Sequence, residues 1–191
     1  MKILLLDNNT EHKRALIRSL AGHDIEIQKY SPGMKFNSQG KDLVILSGGG
    51  GEGHEIDDKH DTNHLWYEDE IKFVQACRKP IVGICMGFEV IASAFGAQVD
   101  EMTKEIRGFK ELKATRRGQK TLSQKALRQY EAHKWRVKNP PKGFEVLARS
   151  ETGIELIRHK TRPIIATQFH PEKGGTLRIN DLIRLTTPRL I

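Results

Sequence analysis

The chain has little cysteine, few aromatic residues and no long unbroken apolar run. Two of its 191 residues are cysteines, Cys77 and Cys85. That excludes a disulfide framework and fits a reduced, cytoplasmic protein. The two thiols fall across a predicted helix end and strand and are not expected to pair. The first apolar run, Met1 to Leu6, stops at Asp7, well short of a signal-peptide core. The longest, Ile81 to Ala97, is broken by Glu89 and by glycines, so no membrane span is expected. Aromatic residues make up 6% of the chain. The basic residues clustered over Lys104–Arg136 and Arg158–Lys173 show no aromatic interleaving of the kind used to stack bases. A formal net charge of +8 therefore comes without the stacking residues that bind bases, and nucleic acid is not an expected partner. There is no internal repeat and no low-complexity segment. Length and composition fit one domain over residues 1–191 with a core of its own.

What is present is an alternation of short apolar strands and amphipathic helices. Strands are predicted over Lys2–Asp7, Asp24–Lys29, Leu43–Leu46 and Ile81–Cys85. Helices are predicted from a Thr10 cap to about Leu20, over Trp66–Arg78 and over Gly87–Phe95. This pattern argues for an α/β fold with a parallel sheet covered on both faces. Beyond Gln98 the pattern changes to consecutive strands near Glu111–Thr115, Gln129–His133, Phe144–Arg149, Ile154–His159 and Pro163–Phe169, an antiparallel addition. A last helix is expected from Thr176.

The chemistry concentrates at predicted strand ends, where open α/β sheets build their sites. Gly83-Ile84-Cys85-Met86-Gly87 is a nucleophile flanked by small residues at a strand-to-helix turn, the pattern of a nucleophile elbow. The glycines are expected to allow a strained turn, and the following helix N-terminus to favour thiolate at Cys85. A cysteine nucleophile needs a base, and the base an orienting carboxylate. Gln168-Phe169-His170-Pro171-Glu172 supplies both at the end of another strand. A third strand end carries Ser47-Gly48-Gly49-Gly50, whose backbone N–H groups, with that of Met86, can bind an oxyanion. This loop lacks the Gly-Lys-Ser/Thr ending of a phosphate-binding loop. His54, His60 and His64, with Asp57, Asp58 and Asp61 nearby, match no compact metal motif, so a polar loop and no metal or cofactor are expected.

Leu46-Ser47-Gly48-Gly49, Gly83-Ile84-Cys85-Met86-Gly87 and Phe169-His170-Pro171-Glu172 resemble, in order and separation, the class I glutamine amidotransferases. Ala132-His133-Lys134 and Pro141-Lys142-Gly143-Phe144 extend the likeness to the stand-alone glutaminase subunits of GMP synthetases. The resemblance implies a flavodoxin-like core and a Cys85–His170–Glu172 triad that hydrolyses glutamine through a thioester. It further implies oxyanion donors at Gly49 and Met86, substrate contacts at Gly48, Glu89, His133 and Trp135, and ammonia delivered to a separate synthetase partner. Three positions depart from the family pattern. Glu89 stands where glutamine is usual, Ala132-His133-Lys134-Trp135 where Ser-His-x-Asp is usual, and Gly50 where proline often follows the glycine pair. They leave open a rebuilt glutamine pocket, an amidase or γ-glutamyl hydrolase acting on another amide, or a non-catalytic regulatory subunit.

Overall fold

Apolar tetrads with no polar face can only be buried on both sides, and they form the centre of the sheet. The computed structural model describes residues 1–31, 33–49 and 67–187. Strands β3 (Leu43–Leu46), β4 (Ile81–Ile84) and β9 (Ile164–Thr167) are buried at every position. With β1 (Lys2–Asp7) and β2 (Asp24–Lys29) they form a parallel array in the order β2-β1-β3-β4-β9. That is the flavodoxin-like order with β9 in the fifth place. The outermost strand, β2, is largely exposed and carries Asp24, Glu26 and Lys29, charges that blunt a sheet edge.

Alternation along β1 divides the core. Ile3 and Leu5 join Leu16 and Leu20 of the α1 (Lys13–Ser19) region and Leu182 and Ile183 of α5 (Ile179–Thr186). Leu4 and Leu6 join Val74 of α2 (Glu68–Ala76) and Phe88, Val90 and Ile91 of α3 (Met86–Ala94). Successive side chains thus meet helices on opposite faces.

The antiparallel part is larger than the sequence reading anticipates. From β9 the sheet continues through β8 (Ile154–His159), β7 (Phe144–Arg149), β5 (Asp100–Ala114) and β6 (Ala126–Arg136). The predicted strands at Glu111–Thr115 and Gln129–His133 are the inner portions of a long β5–β6 hairpin. Its outward positions are charged, which hid the strand period. Between β5 and β6 lies an unanticipated helix, α4 (Arg116–Leu122), capped by the Thr115 hydroxyl, which accepts from the Gly118 N–H at 3.0 Å. Its exposed Arg116, Arg117 and Lys120 leave no apolar stripe to read.

Other boundaries also move. Helix α1 starts at Lys13 with His12 in the cap position, and the Thr10 hydroxyl accepts from the His12 N–H at 3.2 Å. Helix α5 starts at Ile179 and α2 at Glu68, after buried Tyr67. Trp66, Gly50 and the histidines at 54, 60 and 64 lie outside the described residues.

The antiparallel half curls back over the parallel one. Strand β6 is last in the sheet order. Even so, its Tyr130 carbonyl accepts from the His170 N–H at 2.8 Å, and Gln129 bridges to Gly175. The curl brings β6 against the loop that leaves β9, where the candidate chemistry sits.

Candidate active site

Strands β1, β3, β4 and β9 are parallel neighbours, so their C-terminal ends share one edge, and four loops meet there. The loop after β1 is a clamp. The Asn8 N–H donates to Ser47 Oγ at 2.9 Å, and its side-chain amide donates to the Ser47 carbonyl at 3.3 Å and to Glu70 Oε2 at 3.1 Å. The Ser47 hydroxyl in turn donates to the Gly48 carbonyl at 2.8 Å. These bonds fix the start of the glycine loop. None was legible beforehand, because Asn8 and Glu70 meet only through the fold.

Cys85 follows β4 directly and caps α3, with φ 51° and ψ −106°. The strain therefore sits on the cysteine itself, not on its flanking glycines. Those glycines serve close packing. A Cβ on Gly87 would collide with the Leu46 carbonyl oxygen, and one on Gly83 would lie 2.5 Å from Ile91 Cδ1 and 2.7 Å from the Gly87 oxygen. The elbow is held from both sides, as the Gly87 N–H donates to the Ser47 carbonyl (3.1 Å) and the Cys85 N–H to the Thr167 carbonyl (2.8 Å).

The thiol departs from expectation. Burial pushes its pKa well above the ordinary range, and the carboxylates of Glu89 and Glu172 push the same way. Hydrogen bonds from the Met86 backbone and the Gln168 side chain oppose them. The helix N-terminus does not win this balance, so Cys85 rests as a thiol and needs a base to attack. Both cysteines are free.

His170 is buried, and its Nδ1 lies 2.8 Å from Glu172 Oε1, whose side chain is also buried. A carboxylate that holds Nδ1–H leaves Nε2 as the free lone pair. Nε2 is buried with no hydrogen-bond partner among the described residues. Gly48 separates this imidazole from the nucleophile. A Cβ built on it would lie 3.1 Å from His170 Cε1 and 3.4 Å from Cys85 Cβ. Gly49 packs beside Met86, its virtual Cβ 3.0 Å from Met86 Sδ, so both candidate oxyanion donors flank the elbow.

The remaining predicted residues divide. Glu89 is buried on the first turn of α3 and accepts from Gln168 Nε2 at 2.8 Å. The same nitrogen lies 4.0 Å from Cys85 Sγ. His133 is turned inward, with Nδ1 2.7 Å from the Trp135 carbonyl and Nε2 3.0 Å from Glu131 Oε2. The backbone of its neighbour Ala132 borders the site, with its carbonyl 3.8 Å from Cys85 Sγ. Trp135 enters through its carbonyl. One residue that the sequence did not single out belongs here. The His12 ring meets that of His170 edge-on at 4.6 Å, and burial, with the charge of His170, lowers its pKa to about 4. It therefore adds a neutral wall beside the base.

This geometry agrees with what the chain resembles. The family model for Glutamine amidotransferase class-I matches residues 4–187. The chain is 30% identical over 190 residues to the glutamine-hydrolyzing GMP synthase subunit of Methanocaldococcus jannaschii, covering 95% of this chain and 94% of that one. It is 31% identical over 188 residues to the protein of the same name from Pyrococcus abyssi, with 95% of each covered. Among solved structures, a putative GMP synthase subunit from Thermoplasma acidophilum superposes with a TM-score of 0.80 at 27% identity, covering 98% of this chain and 92% of that one. A glutamine amidotransferase from Thermotoga maritima shares the fold, with a TM-score of 0.69 at 15% identity over 98% of this chain and 81% of that one. No helix among the described residues is long and apolar enough to cross a membrane. The chain belongs to the class I glutamine amidotransferase family.

Proposed function

We propose that this class I glutamine amidotransferase attacks the side-chain amide of glutamine with Cys85 and passes the released ammonia to a separate synthetase chain. The observation that carries the reading is the buried His170–Glu172 pair, 2.8 Å apart, set across Gly48 from a cysteine held at positive φ. His170 Nε2 takes the thiol proton as sulfur adds to the amide carbon. The oxyanion is held by the N–H groups of Gly49 and Met86. His170 then returns the proton to the leaving nitrogen, ammonia departs, and water, deprotonated by the same imidazole, hydrolyses the γ-glutamyl thioester. Glu172 holds the imidazole tautomer throughout.

GMP synthetase is the proposed acceptor, supported by the relatives' names and their near-complete coverage. A cytoplasmic setting fits the two free thiols. A buried cysteine whose pKa is held up by burial fits a chain that idles alone and is activated when the synthetase docks. The basic β5–β6 hairpin, with exposed Phe109 beneath the Arg128 guanidinium, is the proposed docking face.

The Glu89–Gln168 bond favours a second reading of the pocket. A carboxylate cannot donate to a substrate carboxylate or carbonyl as an amide does, and here it draws on the amide nearest the nucleophile. Recognition of glutamine is rebuilt, or another γ-glutamyl amide is taken. The deciding experiment measures ammonia release from glutamine and from other γ-glutamyl amides, with and without a synthetase chain, beside Cys85→Ala. Undiminished release in Cys85→Ala would sink the triad, and release from another amide alone would select the second reading.

A further inference from the structure

A buried polar cluster lies behind the strand that borders Cys85. Glu131 and His133 share one face of β6, and Glu155 meets them from β8. The three residues are 1%, 5% and 1% exposed. Each offers a ligand-type atom, and these atoms all lie within 4.8 Å of one another. His133 Nδ1 faces the Trp135 carbonyl at 2.7 Å. A carbonyl can only accept, so Nδ1 carries the hydrogen and Nε2 is left to the cluster. Nε2 lies 3.0 Å from Glu131 Oε2. Two acceptors at that distance need a positive centre between them, either a proton or a metal ion.

The other oxygens make the same demand. Ser150 Oγ donates to Glu155 Oε1 at 2.6 Å, while Glu155 Oε2 and Glu131 Oε1 are buried with no hydrogen-bond partner among the described residues. No lysine or arginine among the described residues forms an ion pair with either carboxylate. Two buried carboxylates carry two negative charges, and even a proton on His133 Nε2 would leave one of them uncompensated, which burial does not tolerate. One divalent cation cancels both.

We propose that Glu131, His133 and Glu155 form a structural site for a zinc-class divalent cation. His133 Nε2 and one oxygen of each glutamate are the ligands, and the Trp135 carbonyl and Ser150 hydroxyl orient them. One nitrogen and two carboxylate oxygens suit Zn²⁺, and an imidazole whose other nitrogen is tied to a backbone carbonyl is the usual arrangement of a metal-bound histidine. The site would pin β6 to β8 on either side of the nucleophile. Ala132, between two ligand-bearing positions, has its carbonyl 3.8 Å from Cys85 Sγ, and the Glu155 carbonyl accepts from the Gln168 N–H at 3.0 Å.

The test is Zn²⁺ titration of the chelator-treated full-length chain, followed by calorimetry, by metal analysis after gel filtration and by thermal unfolding. One equivalent should bind and raise the unfolding midpoint. Glu155→Gln and Glu131→Gln should each weaken binding by at least about 100-fold. His54→Ala/His60→Ala/His64→Ala should bind as the parent does. Co²⁺ in place of Zn²⁺ should give visible ligand-field bands with no thiolate charge-transfer band. Folded parent protein that takes up no Zn²⁺ overturns the proposal, and this arm holds even where a glutamine variant fails to fold. So does parent-like affinity in both glutamine variants, loss of binding in the triple histidine variant, or a thiolate band that places the metal on cysteine.

Discussion

Replacing Gly48 by alanine would place a methyl group 3.1 Å from His170 Cε1, 3.4 Å from Cys85 Cβ and 3.5 Å from Thr10 Oγ1. All three neighbours are side-chain atoms, and they can yield by a few tenths of an ångström. The fold should survive at a cost of about 1–3 kcal/mol, the usual range for one added methyl in a packed region. Catalysis should not survive so well. His170 is held by Glu172 at one end and by the Tyr130 carbonyl through its backbone, so any yielding misaligns base and nucleophile. A misplacement of about 1 Å costs roughly 100-fold in rate, so a shift of a few tenths of an ångström should cost about fivefold. Gly87→Ala is the contrasting perturbation, because its methyl would collide with the Leu46 backbone oxygen, where nothing flexible can move. Urea unfolding and ammonia release, measured on both variants with the synthetase present, separate the cases. Gly48→Ala should stay folded, with its unfolding free energy lower by about 1–3 kcal/mol and turnover down about fivefold. Gly87→Ala should lose folded protein. A Gly48→Ala enzyme that turns over as fast as the parent would refute the argument that His170 acts on Cys85 across this gap.

Three further outcomes follow from the same geometry. Glu89→Gln removes a carboxylate that raises the Cys85 pKa, so alkylation of the isolated chain at pH 8 should quicken, by about tenfold for each unit the thiol falls. An unchanged rate would mean that Glu89 does not act on the sulfur. Burial raises the Glu70 carboxyl from 4.5 to about 8 against its Asn8 hydrogen bond. Its folded pKa exceeds its unfolded one, so its contribution to stability is complete below about 4.5 and is lost as pH rises through about 8. Unfolding free energy should therefore fall across that window by up to about 1.4 kcal/mol per pH unit, and denaturant titrations of Glu70→Gln should lack that slope. His12 meets His170 as a neutral ring, so kcat should hold in His12→Phe and drop in His12→Ala; equal loss in both would point instead to a polar role.

The parallel core could be read from the sequence because tetrads such as Leu43–Leu46 and Ile81–Ile84 have no polar face to leave exposed. Cys85, His170 and Glu172 could be found because each stands next to such a strand. The long β5–β6 hairpin and α4 were obscured by charged outward positions that blur the period. Asn8, His12 and Gln168 carry no local signature, since each is defined by a partner from 39 to 158 positions away. The state of the thiol was misjudged for a related reason. A helix N-terminus is visible in sequence, whereas burial and the carboxylates of Glu89 and Glu172 around the sulfur are known only once the chain has folded.

Strand β9 occupies the middle of the sheet, between β4 and β8, yet it follows every other strand in the sequence. The Cys85 N–H finds its acceptor only on Thr167, and the base and its carboxylate follow within five residues of that point. During synthesis the elbow is therefore made with only its Ser47 hold available, and a ribosome-bound chain lacking its final strand has a cysteine with no base. Glutamine cannot be consumed by an unfinished copy. A truncation late in the reading frame removes the centre of the sheet and the chemistry together, leaving no inert but folded remnant.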